Sequence, residues 1–455
     1  MPFTEVDSVY ICGENEMKAG AETPVRVLHV FGRVGLGGAE SRIMDLYRNI
    51  DRDRIQFDFL VHTEPDRTGK RCPTSDELMS VREPDYFDSD ILRLGGRIYA
   101  VPRFQGTNPA EYRRALETFF RTHQGIWKVV QGHMTSTAAI YLPIARKYGA
   151  QIVCSHVRSG GTDPGLKGIV TNFLRKPLQN EKTVDFRFTC TEDAGRKVYG
   201  DALVDAGKVR VIPNAINVQK FAFDPEKRTR IRTELKLDNA VVIGHVGRFH
   251  YAKNHEYLLR VFAELVKMVE CDDQNRYAIL HGLPLRLMLL GEGELMENCR
   301  KLAEELHISA AVMFMNNRSN VSEFYQAMDY FCFPSRYEGL PGTVVEAQAS
   351  GLQCLISDAI TTEVDLTELV SRMSIDLPPQ VWAEKIIQDL MLENADAEDR
   401  KAQEKLPEGR EPVSEYAIGD RLGSSPYITD RIRSAGFDVS TQAMMMTYFY
   451  ENGHF

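Results

Sequence analysis

Short apolar runs and amphipathic stretches take turns along most of this chain. Runs at 25–30, 55–61, 97–101, 127–130, 151–154, 186–191 and 209–213 read as strands of a first unit. Those at 240–246, 285–290, 312–315, 330–333 and 353–357 read as strands of a second. The run at 330–333 (YFCF) shows no alternation at all, the pattern of a strand covered on both faces of a parallel sheet. Between the runs lie helix-spaced stretches at 43–50, 109–122, 166–178 and 342–350, others starting near 254 and 294, and a last one at 428–450. Strands that alternate with helices predict βαβ units, hence an α/β protein of doubly wound parallel sheets. Length allows two or three domains. The predicted division is a loosely ordered leader at 1–23, domains at 24–217 and 218–425, and a final helical segment at 426–455. Residues 63–90, 271–282 and 393–415 have no period and read as insertions or lengthened loops.

Candidate chemistry centres on the strand 330–333 and the turn at its carboxyl end. Pro334 and Ser335 end the strand, and Glu338, Gly339 and Leu340 form a tight loop. Pro341 is predicted as the first residue of a helix through Gly342 and Thr343, and Gly351 stops that helix. A helix start outside the carboxyl end of a parallel sheet holds anions. Glu338 in the loop and Glu346, about one and a half turns into the helix, can accept hydrogen bonds from hydroxyls. A ligand carrying both hydroxyls and phosphate, such as a nucleotide sugar, suits that combination. Taken alone, two glutamates at a helix start are ordinary solvated residues.

Four other places join this one. FGRVGLGGAES after the first strand puts Gly37 and Gly38 at a helix start, where backbone can approach a ligand or simply turn. His133 falls at the carboxyl end of the strand 127–130, where a histidine satisfied by backbone is the plain alternative. Arg248 and Lys253 follow the strand 240–246, and two cations converging there fit a diphosphate leaving group. Surface cations are otherwise merely solvated. SHVRSG places Ser155, His156 and Arg158 at the next strand end.

These motifs carry a resemblance. EGLPGTVVEAQASG (338–351) with Pro334 and Ser335, GRFHYAKNH (247–255), GGAE (37–40) and VIPNAIN (211–217) are similar to retaining family-4 glycosyltransferases of the two-domain GT-B fold. Within that family they resemble the bacterial exopolysaccharide and capsule branch, over about residues 25–452. The resemblance implies two Rossmann-like domains facing a central cleft and a last helix crossing back onto the first. It implies metal-independent transfer of a hexose from a nucleoside-diphosphate sugar, UDP-sugar above all, to a glycan hydroxyl. Glu346 would hold the ribose hydroxyls and Glu338 the 3- and 4-hydroxyls of the sugar. Arg248, Lys253, Gly37, Gly38 and the Gly339–Leu340–Pro341–Gly342–Thr343 turn would face the diphosphate. His133 would position the sugar from the opposite domain, and the loop with Arg318 would surround the nucleobase. Ser155, His156 and Arg158 would lie on the acceptor side, Arg158 departing from the family's common pattern there. Two hinge positions, Ala215 and Asn217, also depart, since glycine and aspartate are more usual. The apolar stripe of 166–178 with its flanking cations fits either peripheral contact with an anionic membrane surface or plain core packing, and together with the resemblance it points to a polyprenyl-diphosphate-linked acceptor. Alternatives on the same fold are a sugar-nucleotide 2-epimerase and a non-catalytic sugar-nucleotide binding protein.

Composition narrows the partners. A net charge of −9 argues against nucleic acid as the main partner. Eight cysteines without a CxxC read as reduced thiols of a cytoplasmic protein, not as a zinc site or disulfide framework. The acidic leader has no apolar core and does not read as a signal peptide. Asp88-Ser89-Asp90 resembles a metal-binding DxD, but it sits in a charged loop where that motif should follow an apolar strand. No metal and no resident cofactor are expected.

Overall fold

The computed structural model describes residues 23–64, 73–158, 166–271, 277, 280, 282–403 and 421–455, so the expected leader lies outside it. The first sheet holds β1 (Val25–Val30), β2 (Ile55–Thr63), β3 (Ile98–Pro102), β4 (Val129–Gly132), β5 (Ile152–Val157), β6 (Phe186–Thr189) and β7 (Val209–Val211). The second holds β8 (Val241–Val246), β9 (Leu285–Leu290), β10 (Val312–Phe314), β11 (Tyr330–Phe333), β12 (Gln353–Ser357) and β13 (Val370–Met373). Their orders are β3-β2-β1-β4-β5-β6-β7 and β10-β9-β8-β11-β12-β13, with every pairing parallel. Both are doubly wound, and strand order reverses between β1 and β4 and between β8 and β11. A crevice opens beyond the carboxyl ends at such reversals. Gly37, His133, Arg248 and Glu338 all follow one of those four strands.

Burial explains the apolar runs. All four side chains of β11 are fully covered, as are Val27, Leu28 and Val30 of β1. One apolar cluster includes Leu28 and Tyr141 of the first domain, Val242 and Phe331 of the second, and Ile216, Val218 and Phe221 of the connection. The domains therefore share a core at the hinge.

Several expectations need correction. Stretch 63–90 is not a plain loop: it contains the helices Ser75–Val81 and Asp88–Arg93. Thr74 and Glu77 form a capping box on the first, and half-buried Arg82 joins Asp85 to Asp88. Asp88 and Asp90 of the DSD triplet are thus taken up by arginines, Asp90 pairing with Arg48 and Arg93. Strand β13 was not anticipated, and a helix, Pro379–Gln403, runs into the expected surface insertion 393–415. The pattern at 428–450 is two helices, Arg421–Ser434 and Val439–Asn452, broken at Gly436 (φ 83°) and restarted by the Asp438 cap. The first stays on the second domain, where Arg421 donates to the Ser350 carbonyl at 2.6 Å. The second lies on the first domain against β1, β2 and the helix Gly38–Asn49. There Tyr450 donates to Gln131 at 2.8 Å, and Arg54 pairs with Glu451.

Candidate active site

The second domain builds its share of the cleft from two loops pinned together. After β8 the backbone of Gly247 and Phe249 bonds to Leu290 and Glu292, and a Cβ on Gly291 or Gly293 would run into the Gly247 or Phe249 carbonyl. Only glycine permits that approach. Arg248 sits between these anchors, exposed, without an ion pair or side-chain hydrogen bond among the described residues. A single 3-10 turn, Tyr251–Lys253, comes next, capped by the His250 side chain. Buried Asn254 adopts the left-handed conformation (φ 56°) and donates to the Pro334 carbonyl at 3.1 Å. The Arg336 amide bonds to Ala252 at 2.7 Å. This ties the β8 loop to the β11 loop and brings Lys253 Nζ to 2.7 Å from Glu338 Oε1. The same ammonium lies over the Phe333 ring, 4.7 Å from its centre.

Pro341 caps the next helix from outside (φ −74°, ψ 100°) and is not its first residue; the helix is Gly342–Ala349. Leu340 is buried beneath it, Gly339 is half-buried, and Thr343 Oγ1 is buried without a partner. Glu346 does not stand open to the crevice as expected. Its Oε1 accepts from Arg42 Nη2 at 2.5 Å, and its Oε2 accepts from the Tyr325 hydroxyl at 3.0 Å. Arg318 donates to the Met315 carbonyl at 2.8 Å, with its guanidinium near the Phe324 ring.

Arg42 belongs to the first domain, on the helix that starts at Gly38 with Gly37 as its cap. A second contact spans the domains where Glu363 caps the helix Glu192–Tyr199, accepting from the Glu192 amide at 3.1 Å. His133 comes directly after β4 and stacks on Phe31, with ring centres 4.2 Å apart, and its Nε2 lies 3.1 Å from His29 Nδ1. Burial, reinforced by the Arg158 charge, holds the His133 imidazole well below its ordinary value and pushes His29 down to about 3. Both are neutral near pH 7. His133 can therefore orient a hydroxyl but cannot serve as an acid there, and its Nδ1 has no partner among the described residues.

The acceptor-side expectation is corrected in part. Ser155 and His156 point to opposite faces of β5, and both faces are covered. Tyr199 donates to Ser155 Oγ at 2.9 Å, and His156 Nδ1 lies 3.0 Å from Gln131 Nε2. They brace the strand end from within. Arg158 donates to Asn214 of the hinge at 2.8 Å, and burial pushes its guanidinium down to about 10. What sequence reasoning missed is a cavity of about 520 Å³ at the carboxyl ends of β1 and β2, with Arg33, Glu40, His62, Glu64, Arg82 and Arg103 among its lining. It also missed Arg42 and Tyr325, whose only signal in the sequence is polarity beside a motif.

Two doubly wound parallel sheets whose strand ends meet across a cleft, with a lysine–glutamate pair on one side and a glycine helix start on the other, define a GT-B protein. Residues 227–405 match the family Glycosyl transferases group 1, and residues 37–215 match Glycosyl transferase 4-like domain. EpsF of Bacillus subtilis (strain 168) is 34% identical over 371 residues, 79% of this chain and 86% of EpsF. The UDP-Gal:alpha-D-GlcNAc-diphosphoundecaprenol alpha-1,3-galactosyltransferase of Escherichia coli is 27% identical over 326 residues, covering 70% of this chain and 79% of its own. Anabaena HepE, solved in complex with UDP and glucose, has the same fold at 15% identity and a TM-score of 0.64, with 94% of this chain and 100% of that one aligned. The chain belongs to the family-4 glycosyltransferases.

Proposed function

We propose that this glycosyltransferase moves a hexose from a nucleoside-diphosphate sugar, a UDP-sugar first among them, to a hydroxyl of a growing bacterial surface glycan. Configuration is retained and no metal ion takes part. The observation that carries this reading is the meeting of Lys253 and Glu338 at the β8 and β11 ends beside the exposed Arg248. Lys253, Arg248 and the Gly342 helix start stabilise the departing diphosphate, as fixed charges and dipoles do best where negative charge develops. Glu338 accepts from sugar hydroxyls and His133 orients the sugar from across the cleft. The bond from the anomeric carbon to the phosphate oxygen breaks as the acceptor oxygen bonds to the same face, and the acceptor proton passes to the departing phosphate. Domain closure keeps water from competing. No resident cofactor is needed for this chemistry.

The Escherichia coli relative is named for a diphosphoundecaprenol-linked acceptor, which supports a lipid-linked acceptor here; the inner face of the membrane is our own reading of where the two meet. Among the described residues no helix is long and apolar enough to cross one. The helix Leu166–Arg175 nonetheless exposes Ile169, Val170 and Phe173, the last 75% exposed, beside exposed Lys176. Such a face lies on anionic lipid. Phe173→Glu is expected to abolish most sedimentation with phosphatidylglycerol vesicles while leaving hydrolysis of free donor unchanged; equal sedimentation of both proteins removes the membrane contact from this reading.

The function itself is tested by incubating the protein with a panel of sugar nucleotides in EDTA, with and without a diphosphate-linked lipid acceptor. Acceptor-dependent release of nucleoside diphosphate that survives EDTA is expected. Conversion of donor alone to its C2 epimer would favour the epimerase instead, and loss of transfer in EDTA with recovery on manganese would overturn the metal-independent step.

A further inference from the structure

Arg42 has no part in the transfer step just proposed, yet it bridges the two domains. It rises from the first domain, is largely buried, and makes its shortest contact with Glu346 of the second domain, 304 residues away in sequence. Its other partners are weaker: Asp45 at 3.3 Å and the Ala215 carbonyl at 3.4 Å. The guanidinium also lies against the start of the helix Gly342–Ala349, 3.5 Å from where a Cβ on Gly342 would stand. That helix end carries the positive pole of its dipole, so a cation there depends on Glu346 to hold it. Arg158 adds a second buried guanidinium on the same side, and Arg42 lies close enough to disfavour its charge. Nearby, Thr343 Oγ1 is buried and has no partner among the described residues. Against two guanidinium groups and a helix start stand Glu346 at 2.5 Å and Asp45 at 3.3 Å, so Glu346 alone supplies close negative charge from the second domain. A diphosphate brings that charge, and a guanidinium binds phosphate through the same two-pronged geometry with which it binds carboxylate.

We propose that Arg42 is a donor-binding residue supplied by the first domain, which exchanges Glu346 for the donor diphosphate as the nucleotide enters and so releases Glu346 to the ribose hydroxyls. The exchange couples nucleotide binding to the position of the two domains, because the arginine and its two successive partners lie on opposite sides of the cleft. Asp45, one helical turn on, gives the side chain a fixed pivot on its own helix. This inference rests on the donor reading of the site, and it predicts that Arg42 recognises the diphosphate and not the nucleoside.

Isothermal titration of the full chain tests it, using whichever of UDP, GDP, ADP and dTDP binds most tightly and the matching nucleoside. Arg42→Gln is expected to weaken the diphosphate about tenfold to a hundredfold while binding the nucleoside as well as or better than the wild type, since Glu346 is then released. Arg42→Lys, which keeps the charge but not the fork, is expected to fall between; it carries the test should the glutamine variant lose its unfolding transition. Diphosphate affinity in Arg42→Gln equal to or above that of the wild type would mean a plug and not a ligand, and overturns the proposal while the donor site stands. Failure of the wild type to bind any of the four diphosphates overturns the donor site, and this inference with it.

Discussion

Arg248→Ala is expected to lower the turnover of sugar transfer by about a hundredfold or more and to leave the unfolding transition where it is. The two halves of that expectation come from the same geometry. Arg248 is exposed and pairs with no acid among the described residues, so its removal leaves no buried charge unanswered and costs little stability. Its backbone, in contrast, is fixed by the Gly247 and Phe249 hydrogen bonds to the loop after β9, which places the side chain at the β8 end in advance of the reaction. A charge-assisted hydrogen bond is worth about 1.5–3 kcal/mol, and it is worth most to a leaving group whose charge is still growing. The check is release of nucleoside diphosphate at saturating donor, alongside a thermal melt. Turnover close to that of the wild type would remove Arg248 from the leaving-group site. Lys253→Ala is a less clean variant, because it also strands the Glu338 carboxylate.

The contrast between Arg248 and Glu346 shows where sequence reasoning reaches and where it stops. The strand run 330–333 was legible because a parallel sheet covers both faces, and continuous apolarity is then required. The loop-and-helix order after β11 was legible because proline fixes its own φ and glycine stops a helix, although Pro341 proved to be the cap and not the first helical residue. Partners were not. Arg42 and Tyr325 reach Glu346 from two other elements, and nothing in local spacing ties position 42 to position 346. Ser155 and His156 show a related limit: adjacent residues of a strand face opposite ways, so both could meet an acceptor only if β5 ended before them, and it runs on to Val157. In 63–90 the signal was present and outweighed by polarity. Thr74 and Glu77 stand at capping-box spacing, but few apolar residues come after them to mark a helix. The break at 435–438 is of the same kind, since a glycine and an aspartate inside a helical pattern can stop one helix and cap another.

The largest loss of stability is expected from Asp329→Ala, at about 3–5 kcal/mol. Asp329 directly precedes β11 and is 2% exposed. Its carboxylate receives Arg228 Nη2 at 2.5 Å and Arg232 Nη1 at 3.1 Å, both from the helix Pro225–Glu234, and the Val242 amide of β8 at 2.8 Å. Both arginines are also buried, and their remaining donors go to main-chain carbonyls: Gln326 and Met328 for Arg228, and Ala327, Leu237 and Ala240 for Arg232. Those bonds fix the guanidinium groups where they are, so neither can turn to water when the carboxylate is removed. Alanine then leaves two buried positive charges facing each other without an anion, together with an unpaired strand amide. Arg232 is held below its ordinary value by burial even with Asp329 present, which marks how little solvent reaches it. Asp329→Asn keeps the volume and the acceptor for Val242 but not the charge, and should recover only part of the loss. Urea denaturation of the three proteins decides the matter: an unfolding free energy for Asp329→Ala within about 1 kcal/mol of the wild type would mean that the two arginines are satisfied by carbonyls alone.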